Sequence, residues 1–133
     1  MPACKIDANA SPQFTRLCNH WKKNGYPSVE DDLNDAFCDI RKNILAKHGR
    51  VVPRFSAVLR EDLVLYKYRQ KNSQAREGAR GGWRLYALFQ KTTSVLYPVV
   101  VYPKKEWDDA TDDTVKNALE EILTILSKPP DLF

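Results

Sequence analysis

GARGGWRLYALF (78–89), followed after a short turn by SVLYPVVVYPKKEWDDATDD (94–113), decides how this chain reads. The first stretch is a basic, glycine-bearing turn running into a strand, Gly82 to Gln90. Lys91-Thr92-Thr93 makes the next turn, and Ser94 to Tyr102 is a second strand that delivers Tyr102, Lys104 and Lys105 at its end. Two neighbouring strands that bring Arg, Lys and Tyr to one place, with no carboxylate among them, make a site for a polyanion. RNA is the polyanion expected.

Upstream, Leu63 to Lys71 alternates, with Tyr66 and Tyr68 on one side and Lys67, Arg69 and Lys71 on the other, which predicts a strand with a cationic face. Asn72 to Gly81 is a polar connection, so the three strands form an antiparallel meander. Pro98 donates no ladder hydrogen bond and predicts an edge position or a bulge. Thr111 caps a last helix whose Val115, Ala118, Leu119, Ile122, Leu123 and Leu126 recur at helical spacing, with Asp112 and Asp113 in its first turn.

The N-terminal half reads as helical. Lys5 to Asn9 is a short strand. Ser11 and Pro12 open a helix bearing Phe14, Leu17, Cys18 and Trp21, which Asn24-Gly25 ends. Ser28 with Asp31 resembles a capping box for a second helix with the stripe Val29, Leu33, Ala36, Phe37, Ile40 and Ile44. The order is β-α-α-β-β-β-α. It predicts an α+β fold in one domain, 1–133, with a helical hairpin on one sheet face and the other left open for a ligand near Lys67 and Arg69.

Composition sets bounds. The chain has 133 residues and a net charge of +4, unevenly distributed. Leu65 to Arg84 carries six basic residues against one acid, whereas Glu106 to Phe133 carries two lysines against eight acids. That favours a localised anion-binding patch. No apolar run reaches the length of a membrane span, and residues 1–12 lack the pattern of a signal peptide. Cys4, Cys18 and Cys38 are three widely spaced cysteines, expected to be buried, reduced thiols in a cytoplasmic protein. No residue set has metal-ligand spacing and no Walker-type motif is present, so neither metal nor cofactor is expected.

RNA breaks when its 2′-hydroxyl attacks the adjacent phosphorus. A base must take the hydroxyl proton, an acid must protonate the departing 5′-oxygen, and positive charge must meet the phosphorane. His20 and His48 both lie in the helical half and read as surface or structural residues. A histidine-free site must use Lys, Arg or Tyr. Lys67, with its pKa pulled down by neighbouring cations, is the base candidate. Arg84 offers a forked phosphate contact, Lys104 and Lys105 can stabilise charge or give a proton, and Tyr102 can stack on a base. A basic sheet face is more often a surface that binds than one that cuts.

Arg80, Gly81, Gly82, Arg84 and Tyr86, then Tyr102, Lys104 and Lys105, then the acidic run Asp108 to Asp113, resemble the RelE/HigB branch of the RelE/ParE superfamily of bacterial toxins. The stretch SPQFTRLCNHWKKNGYPSVEDDL (11–33) is similar to that family's helical hairpin. The resemblance implies a type II toxin, a metal-independent mRNA endoribonuclease of a kind that often acts on the ribosome and is neutralised by a cognate antitoxin. It implies catalytic roles for Lys67, Arg69, Arg84 and Lys105, and RNA-binding roles for Lys71, Arg76, Arg80, Tyr102 and Lys104. The chain departs from the family by extra residues at His48 to Asp62 and Asn72 to Gly81, and by a C-terminus, SKPPDLF, without the tyrosine some members place there. The same superfamily includes gyrase inhibitors and inactive members, so a catalytically inactive nucleic-acid- or protein-binding module is the alternative.

Overall fold

Ser11 fixes where the first helix begins: its hydroxyl accepts a hydrogen bond from the Phe14 amide at 3.3 Å, and Pro12 fills the first helical position, where no N–H is needed. In the computed structural model, which describes residues 3–73 and 82–127, helix α1 spans Pro12–Lys23. Asn24 closes it, and Gly25 at φ 99° turns the chain where a side chain would strain. Helix α2 spans Val29–Lys42 and buries the whole expected stripe from Val29 to Ile40, with Ile44 just beyond. The expected Ser28–Asp31 capping box does not form. The Ser28 hydroxyl donates instead to Asp32 at 3.2 Å, because Asp32 is turned inward to meet Trp83.

The strands are β1 (Lys5–Ile6), β2 (Arg50–Val51), β3 (Leu63–Gln70), β4 (Trp83–Gln90) and β5 (Val95–Pro103), and a 3-10 helix, η1, covers Pro53–Val58. Helix α3 is Asp112–Leu126, capped by Thr111. Among the described residues the sheet has five strands in the order β1-β5-β4-β3-β2, with β1 parallel to β5 and the other pairs antiparallel. The architecture is α+β, as expected from the sequence, with two additions inside the insertion His48 to Asp62: the short strand β2 and η1. The first strand is also shorter than the Lys5-to-Asn9 reading. Pro98 sits where a bulge skips Val99, between the pairs Tyr86↔Val100 and Ala87↔Pro98, and β1 pairs only with Val95 and Leu96 on its other side. No ladder bond is demanded of the proline there.

Residues paired across antiparallel strands share a face. Tyr68, Leu85 and Val101 form one such row, and the Tyr68 hydroxyl donates to the Ile44 carbonyl at 2.9 Å, so this face lies under the helical hairpin. Trp21 on α1 donates to the Val101 carbonyl at 2.9 Å. Helix α3 packs on β5 and α1, where Glu121 accepts from the Ser11 hydroxyl and the Gln13 amide. Leu85, Leu88, Leu96 and Val99 to Val101 are all at most 1% exposed. Each such side chain contributes roughly 1.5–3 kcal/mol by leaving water. No helix among the described residues is long and apolar enough to cross a membrane.

The cysteines differ from their expected burial. Cys4 is buried and donates to the Ile40 carbonyl. Cys18 is half-buried, its thiol pushed up to about 12, first by burial and then by Glu30. Cys38 is exposed, on the outward face of α2.

Gly49 lies directly against the Tyr68 ring. A Cβ there would stand 2.6 Å from Cε1 and 3.0 Å from Cδ1 of a side chain that is 0% exposed and held at its hydroxyl. Gly49→Ala is expected to destabilise the protein by roughly 1–3 kcal/mol through overpacking, measurable as a lower midpoint in urea unfolding. An unchanged midpoint would mean that the backbone before β2 shifts freely.

Candidate nucleic-acid interface

The opposite sheet face is set by two rows. Arg50, Lys67, Tyr86 and Val100 are successive partners across β2, β3, β4 and β5, and Arg69, Arg84 and Tyr102 are the next row. Strand pairing alone therefore assembles four cations and two tyrosines on one surface. Helix η1 adds Arg54, whose guanidinium carbon lies 5.8 Å from the Tyr86 ring centre and 5.0 Å from that of Phe55. The Lys67 ammonium lies 5.1 Å from the Tyr86 ring centre, within range of a cation–π attraction.

A carboxylate sits among them. Asp109, on the connection from β5 to α3, accepts at Oδ1 from the Tyr86 hydroxyl (2.7 Å), the Tyr102 hydroxyl (2.8 Å), the Lys67 ammonium (3.3 Å) and the Ala110 amide (2.9 Å). Arg54 reaches Oδ2 at 3.3 Å. The expectation of a basic surface without a carboxylate is corrected here. The chain doubles back after Tyr102, and the Ala110 amide fixes the Asp109 side chain towards the strands instead of leaving it in solvent with the helix-capping acids.

These contacts set the protonation states. Burial opposes ionisation of Asp109, but the hydrogen bonds from Tyr86 and Tyr102, together with the Lys67 charge, hold it well below the usual carboxylate range. Burial lowers the Lys67 pKa, Asp109 opposes that, and repulsion from Arg50 and Arg54 adds to it. Tyr86 and Tyr102 are pushed up, first by burial and then by donating to Asp109. Burial likewise pulls Arg84 down, with Arg69 and Arg50 contributing repulsion.

No family model and no curated protein matches the chain. Among solved structures, one match is an arginine-to-alanine double mutant of the E. coli toxin RelE in the free state. The chain is similar to that toxin. Identity is 17%, the TM-score is 0.49, and the match covers 90% of this chain and 98% of the other. At that level of similarity, the chemistry of the site has to come from this chain's own residues.

Of the residues singled out in the sequence, Lys67, Arg69, Arg84 and Tyr102 are brought together. Their accessibility differs. Lys67 and Arg69 are half-buried, whereas Arg84 is 6% exposed and donates towards the Trp83 carbonyl, so it lies beneath the surface cations. Tyr102 is 0% exposed, stacks on Trp107 at 5.5 Å and spends its hydroxyl on Asp109. Its ring is not available to stack on a base, which corrects that expectation. Lys71 is exposed just past β3. Lys104 donates to the Asp108 backbone carbonyl. Lys105 is exposed in the turn after β5, and among the described residues no hydrogen bond or ion pair ties it to the cluster. Arg76 and Arg80 fall in 74–81, outside the described residues. His20 and His48 are both exposed, and neither lies on the strands of this face.

Four residues of the cluster had no site role in the sequence reading: Arg50 and Arg54, and Tyr86 and Asp109, which entered only as part of the resemblance. Tyr86 was within reach, since it stands two residues after Arg84 and so on the same strand face. Arg50 and Arg54 belong to an insertion too short and irregular to show a period.

Proposed function

We propose that this chain is an RNA-cleaving toxin of a type II toxin–antitoxin pair. Its cationic face holds the RNA phosphate, and the RNA's own 2′-hydroxyl serves as nucleophile. The observation that carries the reading is the convergence of Arg50, Arg54, Lys67, Arg69 and Arg84 on one sheet face. The resemblance of residues 80–113 to the RelE/HigB toxins adds the substrate class, mRNA on translating ribosomes, and a protein antitoxin as partner.

In the reaction the 2′-oxygen bonds to phosphorus and the bond from phosphorus to the 5′-oxygen breaks. Lys67 is the acceptor for the 2′-hydroxyl proton, since burial and two neighbouring guanidinium groups favour its neutral form. Arg54 and Arg69 meet the charge that grows on the non-bridging oxygens, and buried Arg84 reinforces the potential from below. Lys104 or Lys105 supplies the proton to the leaving 5′-oxygen.

This route leaves a 2′,3′-cyclic phosphate. Translating ribosomes incubated with the protein are expected to yield new mRNA 3′ ends bearing that group, mapped by primer extension and end-group analysis. Cut RNA with plain 3′-hydroxyl ends would overturn the mechanism, and intact mRNA would overturn the activity.

A second reading is a module that binds RNA without cutting it. The engagement of Lys67, Tyr86 and Tyr102 by Asp109 favours it, since the groups that would move protons are already bonded. Binding with steep salt dependence and no new ends would select this reading.

A further inference from the structure

We propose that Asp109 is a built-in counter-anion, occupying the place of an RNA phosphate until the RNA displaces it. The inference rests on the reading of this face as an RNA site and adds how that site is regulated.

Three features carry it. First, the donors around Asp109 suit a phosphodiester as well as a carboxylate. Two hydroxyls, an ammonium and a guanidinium meet a single negative charge spread over two oxygens, and a phosphodiester presents one charge on two non-bridging oxygens. Second, the charges do not balance. Arg54 and Lys67 touch Asp109, and Arg50 and Arg69 share the face. Among the described residues the facing carboxylates are Asp109 itself and Asp112, which pairs with Arg54 at 3.2 Å. A site with that excess attracts a further anion. Third, Asp109 can leave. It is on a connection, not in a strand or helix, and its side chain is 40% exposed while the tyrosines beneath it are 0% exposed. A purely structural anchor would be expected in the reverse arrangement, with the carboxylate innermost.

The test compares the full chain with Asp109→Asn and with Asp108→Asn, which removes the same charge from the neighbouring exposed residue. Binding of a short fluorescent single-stranded RNA is read by anisotropy, with thermal melting as a check on folding. Asp109→Asn is expected to tighten binding about tenfold, the effect of removing about 1.4 kcal/mol of like-charge competition, and to steepen the salt dependence. Asp108→Asn is expected to change affinity less than about twofold, as for an exposed, screened charge.

A folded Asp109→Asn that binds RNA no more tightly than the unmodified chain would overturn the counter-anion and leave the RNA reading standing. If Asp109→Asn does not fold, the unmodified chain decides. The Ala110 amide, which donates to Asp109, is expected to shift in the NMR spectrum and lose exchange protection when RNA binds, and an unmoved Ala110 would overturn the proposal. If neither protein binds RNA, the RNA reading falls. Titration with inorganic phosphate then settles the device alone: a shifted Ala110 amide keeps it, and an unmoved one removes it.

Discussion

Asp32→Ala is expected to lower the stability of this protein by about 3 kcal/mol, the scale for stripping a buried charged acceptor from several donors. Asp32 is 3% exposed and accepts from the indole N–H of Trp83 (2.9 Å), the Ser73 amide (3.2 Å), the Ser73 hydroxyl (2.7 Å) and the Ser28 hydroxyl (3.2 Å). Trp83 is 0% exposed and packs edge-on against Tyr26, so its N–H has no route to solvent once the carboxylate is gone. Helix α2, the start of the β3–β4 connection and the first residue of β4 are joined at this one side chain. Thermal melting is the measurement, with an expected drop of about 10 °C for a chain of this size. Asp32→Asn, which keeps one acceptor oxygen, should recover part of the loss. A drop of only a degree or two for Asp32→Ala would mean that water enters and replaces the carboxylate.

The second large effect is on activity. Replacing Lys67 and Arg69 together with alanine is expected to reduce RNA cleavage by roughly 10²–10³-fold, the range for losing groups that meet transition-state charge. Both are half-buried on β3; Arg69 has cationic neighbours, and Asp109 keeps the Tyr86, Tyr102 and Arg54 donors once Lys67 is gone, so the fold should stay intact. Arg84→Ala is a less informative variant. At 6% exposure Arg84 is part of the packing, and its loss should lower stability and activity together. The measurement is primer extension with the purified double variant alongside a melting curve. Cleavage within about threefold of the unmodified chain, a change too small for a lost catalytic contact, would place the chemistry away from this face.

Much of the fold was legible because its signals are periodic. The stripes of α2 and α3, the Ser11 and Thr111 caps and the alternation in β3 each rest on several residues that agree. What escaped has no period to read. Two residues, Arg50 and Val51, make β2 only because Val52 and its neighbours find the free edge of β3, a tertiary opportunity that propensity does not encode. Asp31 looked like a capping partner because the spacing fits, yet the neighbouring carboxylate was the one with a buried indole to serve.

At the site the same division holds. The meander registers Lys67 with Tyr86, and Arg84 with Arg69 and Tyr102, so adjacent strands of known alternation suffice to gather those residues. Their depth was not legible. Alternation marks a face but not the layers of side chain above it, so Arg84 and Tyr102 read as accessible when they are covered. Asp109 was passed over for a related reason. Acids ahead of a helix have a local electrostatic explanation, and that explanation fits Asp113 while hiding Asp109, which turns back to the strands, and the pairing of Asp112 with Arg54.

The parallel pairing of Lys5 with Val95 has a consequence for how the molecule comes into being. The first strand can dock only after the last one has emerged from the ribosome, so during synthesis Lys5 and Ile6 wait until the residues up to Leu96 are made. Closing so long a loop is slow compared with forming the local helices. Until it closes, the flank of β5 around Val95 and Leu96 stays unpaired, open to any other extended chain that reaches it first.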